Sequence, residues 1–311
     1  MTEPFSVVRA ADIEVAAEAC RWLVRDLWGR AAVGIVGGAP KCCKSWFALD
    51  LAVSVASGTP CLGRFEVEDV GPALVFLAED TLPAVRSRLA SIAESRDLQF
   101  ADLAVDVIVE SVVRLDQIQH RERLVRTLEQ HRPRLLLLDP LVRLHRLDEN
   151  SAQEISGLLG FLREVQRSFD CAVVLVHHAS KKQRSRPGQA LRGSSDLHAF
   201  GDSNAYLAAD GDDLVLTIEH RSAAAPPQVR LRLAQDPVPH LTVFGPATAG
   251  TTPPDLETHL VEFLRVAAQP VLRREIREGL RVSNNRLSEV LVALESAGRI
   301  RRQVEGWTAT A

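Results

Sequence analysis

Apolar residues fall along this chain in blocks. Residues 32–36, 71–80, 105–110, 134–139 and 171–178 are rich in Val, Leu, Ile, Ala and Phe, with polar or Gly/Pro positions around them. Runs of this length predict strands buried on both faces. Between them, apolar residues recur at three- and four-residue spacing and predict helices over 46–56, 82–95, 117–131 and 151–169. Ser151 and Glu154 open the last of these as a capping box. Strand and helix in alternation give an α/β class, a mostly parallel sheet flanked by helices on both faces.

The pattern changes on either side of this core. Before it, Trp22, Leu23, Val24 and Leu27 predict a helix over about 12–27 that packs on the sheet edge and ends before Gly29. After it, residues 179–191 are polar and basic. Short alternating segments at 204–209, 213–219, 228–234 and 240–244 then predict an antiparallel extension of the sheet. Residues 246–254, rich in Gly, Pro and Thr, read as a linker. Beyond it the pattern predicts helices over 255–268, 272–280 and 283–297, with Ser283 as an N-cap and Gly298 as a stop. A hairpin follows, from Arg299 to Val304 and from Trp307 to Thr310, completing a small winged helix-turn-helix. The expected organisation is therefore 1–30 helical segment, 31–245 core, 246–254 linker and 255–311 winged helix.

Composition narrows the setting. The chain has 311 residues and a formal charge of −3, so it carries no global nucleic-acid signal. Five cysteines without framework spacing suit a reducing compartment. No run approaches the roughly 18 apolar residues of a membrane span, and the first residues lack signal-peptide shape. A cytoplasmic protein with no membrane partner is expected. The lysines are confined to Lys41, Lys44, Lys181 and Lys182, a hint that a compact ammonium is wanted there.

The candidate chemistry begins at Gly38-Ala39-Pro40-Lys41-Cys42-Cys43-Lys44-Ser45, followed by Trp46, between the first buried strand and its helix. In that setting G-x-x-x-x-G-K-[ST] cradles phosphate with backbone N–H groups and a helix N-terminus. Lys44 is placed to reach the β- and γ-phosphates of ATP, and the Ser45 hydroxyl to bind Mg2+. Cys43 replaces the usual glycine. If that position needs positive φ, its Cβ costs on the order of 1 kcal/mol and weakens turnover. Asp139 ends a strand, either as a second oxygen near the metal or as a plain turn cap before Pro140. Glu79, in preference to Asp80, is placed to orient or deprotonate water. His177 or His178 is placed to sense phosphate, with His177 preferred.

Taken in order, GGAPKCCKSWFALDLA, LVFLAED, LLLLDP, VVLVHHASK and ALRGSS resemble the RepA-type plasmid replicative helicases and their AAA-labelled relatives in the RecA/DnaB-like ATPase superfamily, over roughly residues 20–235. The resemblance implies a RecA-like core assembled as a ring or filament with ATP between subunits. It implies Lys44 and Ser45 as the Walker A pair, Asp139 as the Walker B acid and Glu79 as the catalytic glutamate. It also implies His177 or His178 as the phosphate sensor, and Arg221 as a finger acting on a neighbouring subunit. Arg192 falls in the segment after the central DNA loop.

Lys181, Lys182, Arg184 and Arg186 then read as tracking single-stranded DNA phosphates, against the alternative of a solvated basic loop. Asn284, Asn285 and Arg286 of the third tail helix, with Arg301 and Arg302 of the hairpin, read as a duplex DNA contact; a protein-interaction role stays open. The expectation is an ATPase acting on DNA as helicase, loader or related motor. The alternative is a slow-turnover nucleotide-sensing regulator or defence protein, and a small-molecule kinase is disfavoured.

Overall fold

The computed structural model describes residues 5–12, 21–149, 151–178 and 195–244, and in the tail 260–261, 263–265, 267, 270–272, 275–276, 291, 294–295, 298–303 and 306–310. Internal contacts divide the chain into two units, Met1–Thr248 and Ala249–Ala311.

The first unit is built on β3 (Val33–Gly38), α1 (Lys44–Ser57), β4 (Ala73–Leu77), α2 (Leu82–Glu94), β5 (Val105–Val107), α3 (Ile118–His131), β6 (Leu135–Asp139), α4 (Ala152–Phe169), β7 (Ala172–His178) and α5 (Ser195–Phe200). Four further strands follow: β8 (Ser203–Asp210), β9 (Asp213–His220), β10 (Val229–Ala234) and β11 (His240–Val243). They form one nine-stranded sheet in the order β11-β10-β9-β8-β3-β7-β6-β4-β5. From β8 to β5 every neighbouring pair is parallel, and from β8 to β11 every pair is antiparallel. The strands and helices expected of the core are all present, shifted by a few residues at their ends.

Each central strand is apolar throughout because it feeds two cores. Leu135 and Leu137 of β6 pack with α1 and α2 on one face. Leu136 and Leu138 pack with α3, α4 and α5 on the other. The alternation decides which strand-end side chains face α1, and so where the chemistry can lie. Gly34 has no alternative in β3: a Cβ there would stand 1.6 Å from the Ser203 carbonyl oxygen. At the start of α4, Ser151 accepts a hydrogen bond from Glu154 N at 3.4 Å, while Glu154 turns back to Asp148 N at 3.0 Å. Among the described residues no helix is long and apolar enough to cross a membrane.

The expected helix over 12–27 is corrected. Residues 13–20 lie outside the described residues, and Trp22–Val24 and Trp28–Gly29 form an antiparallel hairpin, β1 and β2. Apolar spacing over so few residues fits helix and strand alike. Partners distant in sequence decide it. Glu68 N–H bonds the Leu23 carbonyl at 2.9 Å, Arg25 N–H bonds the Glu66 carbonyl at 2.8 Å, and Arg25 pairs with Glu66 and Glu68. Asp26 takes the left-handed turn position at φ 58. Leu23, Val24 and Leu27 are buried as expected, and Trp22 is half-buried.

In the second unit, β12 (Ile300–Gln303) and β13 (Gly306–Ala309) form a hairpin. Trp307 and Val271 exchange two backbone hydrogen bonds of 2.9 Å. Leu260, Leu264, Ile276, Leu291, Leu294, Ile300 and Trp307 make its core. Asn284, Asn285 and Arg286 lie outside the described residues, and Arg301 is exposed.

Candidate functional site

The phosphate loop leaves β3 at its carboxyl end and enters α1. Gly38 is required at the exit, since a Cβ there would stand 2.3 Å from the Leu207 carbonyl oxygen of β8. Lys41 and Cys43 both take left-handed backbone, at φ 67 and φ 54. The strain anticipated at Cys43 is therefore present. Cys43 also occupies the N-cap of α1 without a capping side-chain bond, leaving that end of the helix to an anion.

A cavity of about 320 Å³ opens over this loop, lined by Lys41 through Trp46 and, opposite, by Glu79, Asp80, Arg88, Asp139 and His178. Lys44 is buried, its ammonium donating to the Ala39 carbonyl at 2.8 Å. Burial lowers its pKa, with Asp139 and Glu79 among the charges that oppose the shift. Asp139 is buried beside Ser45, and loss of hydration pushes its carboxyl up to about 6 against the hydrogen bonding of Ser45. Asp139 Oδ2 is buried with no hydrogen-bond partner among the described residues. A hard oxygen left open next to a serine hydroxyl fits a divalent cation of the Mg2+ type.

Strand parity places the acids and histidines. Asp139 follows Leu135 and Leu137 onto the α1 face. On β7, His178 shares that face with Val176 and lines the cavity. His177, the preferred candidate from sequence, faces the other way. It is buried, its Nδ1 lying 3.8 Å from Glu149 Oε1, which also stands 3.6 Å from His145 Nε2. His178 Nδ1 has no partner among the described residues, and burial, then Lys44, lower its pKa.

Glu79 lines the cavity and is paired with Arg143 Nε at 2.8 Å. Arg88, missed from sequence, donates to both oxygens of Asp80 at 2.5 and 3.1 Å and lies over the Trp46 ring, 5.7 Å from its centre. One signal for it existed. Val85, Leu89 and Ile92 are the buried face of α2, and residue 88 borders that stripe.

Arg221 is not in this cavity. It follows His220, which pairs with Ser203 at the start of β8, beside the amino end of β3, whereas the loop leaves the other end. There it donates to the Ala199 carbonyl and pairs with Asp202 at 3.3 Å. Lys181, Lys182, Arg184, Arg186 and Arg192 lie outside the described residues.

A phosphate loop at the carboxyl end of a parallel sheet, facing a strand-terminal acid across a cavity, defines a P-loop nucleotide-binding protein with a RecA-like core. The chain belongs to the AAA domain family, which matches residues 2–184. Among solved structures, the ATPase domain of G40P aligns with a TM-score of 0.51 and 16% identity, over 66% of this chain and 82% of that one. A DnaB-like replicative helicase, solved with its interactions with primase, aligns with a TM-score of 0.52 and 17% identity over 66% of this chain. This chain spans 56% of that helicase. At such identities the likeness is one of fold.

Proposed function

We propose that the protein binds ATP with Mg2+ and hydrolyses it in the service of DNA metabolism, as a RepA-like helicase, loader or related motor. One observation carries the nucleotide reading: Lys44, Ser45, Glu79 and Asp139, from three separate elements, line one cavity over the phosphate loop, and an oxygen of Asp139 is left open there.

In this reading the loop N–H groups and Lys44 hold the β- and γ-phosphates. Ser45 and Asp139 hold Mg2+, which when bound neutralises charge on the phosphate oxygens. Glu79 accepts the proton of a water whose oxygen bonds to the γ-phosphorus. The bond from that phosphorus to the β–γ bridging oxygen breaks, leaving ADP and inorganic phosphate. His178 donates or accepts a hydrogen bond at the departing phosphoryl group.

DNA enters the proposal through the segment holding Lys181, Lys182, Arg184, Arg186 and Arg192 for single strands, and through a winged-helix tail for duplex. A ring or filament would bring Arg221 of one copy toward the nucleotide of the next. Steady-state hydrolysis with and without single-stranded DNA tests this. Turnover that needs Mg2+ and is lost in Lys44→Ala supports it, and no binding of Mg2+-ATP by folded protein sinks it.

A second reading, a slow sensor that binds ATP and DNA, is favoured by Cys43 at φ 54 and by the Arg143 guanidinium on Glu79. Slow single-turnover hydrolysis with tight nucleotide binding would select it.

A further inference from the structure

The hairpin of β1 and β2 is fastened to the sheet where β8 meets β9. Ser203, the first residue of β8, and His220, the last of β9, stand opposite each other in register. Gly29 N–H of β2 donates to Ser203 Oγ at 3.0 Å, and Ser203 Oγ lies 3.0 Å from His220 Nδ1. On its other side, His220 Nε2 lies 3.2 Å from the Asp26 carbonyl in the turn of the hairpin. The Trp22 ring meets the imidazole at a steep angle, with ring centres 4.9 Å apart. Two points of one hairpin, Asp26 and Gly29, are thus held by one serine and one histidine.

This run of donors and acceptors suits one protonation state. A carbonyl only accepts, so Nε2 carries a hydrogen and donates to Asp26. Ser203 Oγ already accepts from Gly29, and its own hydrogen has Nδ1 as acceptor. That is neutral imidazole. An imidazolium carries hydrogen on both nitrogens, so Nδ1 would aim a donor at Ser203. The serine would have to accept twice, and its displaced hydrogen would need a new acceptor in a site where Ser203 is 2% exposed.

The surrounding charges do not repair this. Arg21 lies over the Trp22 ring, 5.4 Å from its centre, and donates to the Ser222 carbonyl at 2.6 Å. Arg30 is paired with Asp69 and Asp170, Asp202 with Arg163 and Arg221, and Glu219 with His198. Burial, the largest influence, lowers the His220 pKa from its ordinary value of 6.5; the Asp26 carbonyl and carboxylate oppose that shift, and Arg21 adds to it. A cavity of about 220 Å³, with Arg21, Trp22, Ser203 and His220 in its wall, gives a proton a way in.

We propose that Ser203 and His220 form an acid-released latch on the hairpin of residues 22–29, closed while the imidazole is neutral and opened by a proton on Nδ1. Linkage gives the sign. A group whose folded pKa is lowered holds its stabilisation above the unfolded value, about 6.5, and loses it as pH falls. Opening of residues 22–29 therefore becomes more frequent in mild acid. The nine-stranded sheet, of which the hairpin is no part, keeps its pairing. The latch stands independently of the nucleotide reading.

The test follows hydrogen exchange of the full chain by mass spectrometry across this pH range, with rates corrected for the intrinsic pH dependence of exchange. Protection over residues 22–29 is expected to fall by about three- to tenfold between neutral and mildly acid pH, while that of β6 and β7 stays put. His220→Gln, whose amide can accept from Ser203 and donate to Asp26 without titrating, is expected to flatten the profile. Arg21→Gln removes an exposed cation beside the imidazole and is expected to move the midpoint to higher pH. The His220 ring proton signal, identified by its loss in His220→Gln, is expected to titrate below about 6.5.

Flat protection over residues 22–29 in the parent overturns the latch. So does a fall that persists unchanged in folded His220→Gln, or titration of His220 at or above its ordinary value. If His220→Gln does not fold, an unmoved midpoint in Arg21→Gln overturns it instead.

Discussion

Gly38 and His178 stand opposite each other in register, at the last positions of β3 and β7. The phosphate loop therefore begins beside an imidazole, and the histidine one residue earlier is turned into the opposite core.

That register separates two neighbouring histidines by experiment. His178→Ala is expected to lower turnover by about tenfold or more while leaving the melting temperature near the parent value. His177→Ala is expected to cost on the order of 1–3 kcal/mol of stability, because it empties a buried polar position next to Glu149. His178 has its pKa lowered by burial, so its neutral form is favoured in the folded chain. Stability is then lost as pH falls below the unfolded value of about 6.5. Chemical denaturation of His178→Gln should show less of that acid loss than the parent.

Asp139 is held at about 6, above its ordinary value of 3.8, chiefly by burial. Between those values the folded protein keeps a proton that the unfolded chain releases, so stability falls as pH rises through this window. Asp139→Asn should be indistinguishable from the parent below about pH 4 and more stable above about pH 6, by roughly 1–3 kcal/mol. It should also lose Mg2+-dependent nucleotide binding. Denaturation curves at several pH values and calorimetry with Mg2+-ATP check the two halves.

Cys43 holds a backbone conformation suited to glycine. Cys43→Gly should add about 1 kcal/mol of stability and speed hydrolysis, and Cys43→Val should do the reverse, since a β-branched side chain tolerates positive φ least. Melting curves and initial rates measure both.

Gly34 tests the joint between the parallel and antiparallel halves of the sheet. Gly34→Ala puts a methyl group 1.6 Å from the Ser203 carbonyl oxygen, where only backbone movement relieves it. A loss of more than about 3 kcal/mol, or no soluble product, is expected in expression and thermal melts.

Much of this architecture could be read from the chain itself. A strand buried on both faces must be apolar at every position, so β4, β6 and β7 announced themselves, and the strand–loop–helix around Lys44 carried its own spacing. The hairpin at Trp22–Gly29 did not, because its partners lie some forty residues on, at Glu66 and Glu68. The choice between His177 and His178 turned on strand parity relative to α1, which the doublet alone does not show. Arg143 and Arg88 belong to no motif. Their roles come from carboxylates that the fold brings to them, Glu79 and Asp80.

The contact between Gly38 and Leu207 carries one more consequence. The phosphate loop starts with its backbone seated directly on β8, the strand through which β9, β10 and β11 join the rest of the sheet. There is no side chain to cushion the seat, and the backbones of Gly38 and Leu207 are in direct contact. Residue 38 therefore accepts no side chain without moving β8, so the start of the loop and the outer half of the sheet are fitted to each other at a single backbone seat.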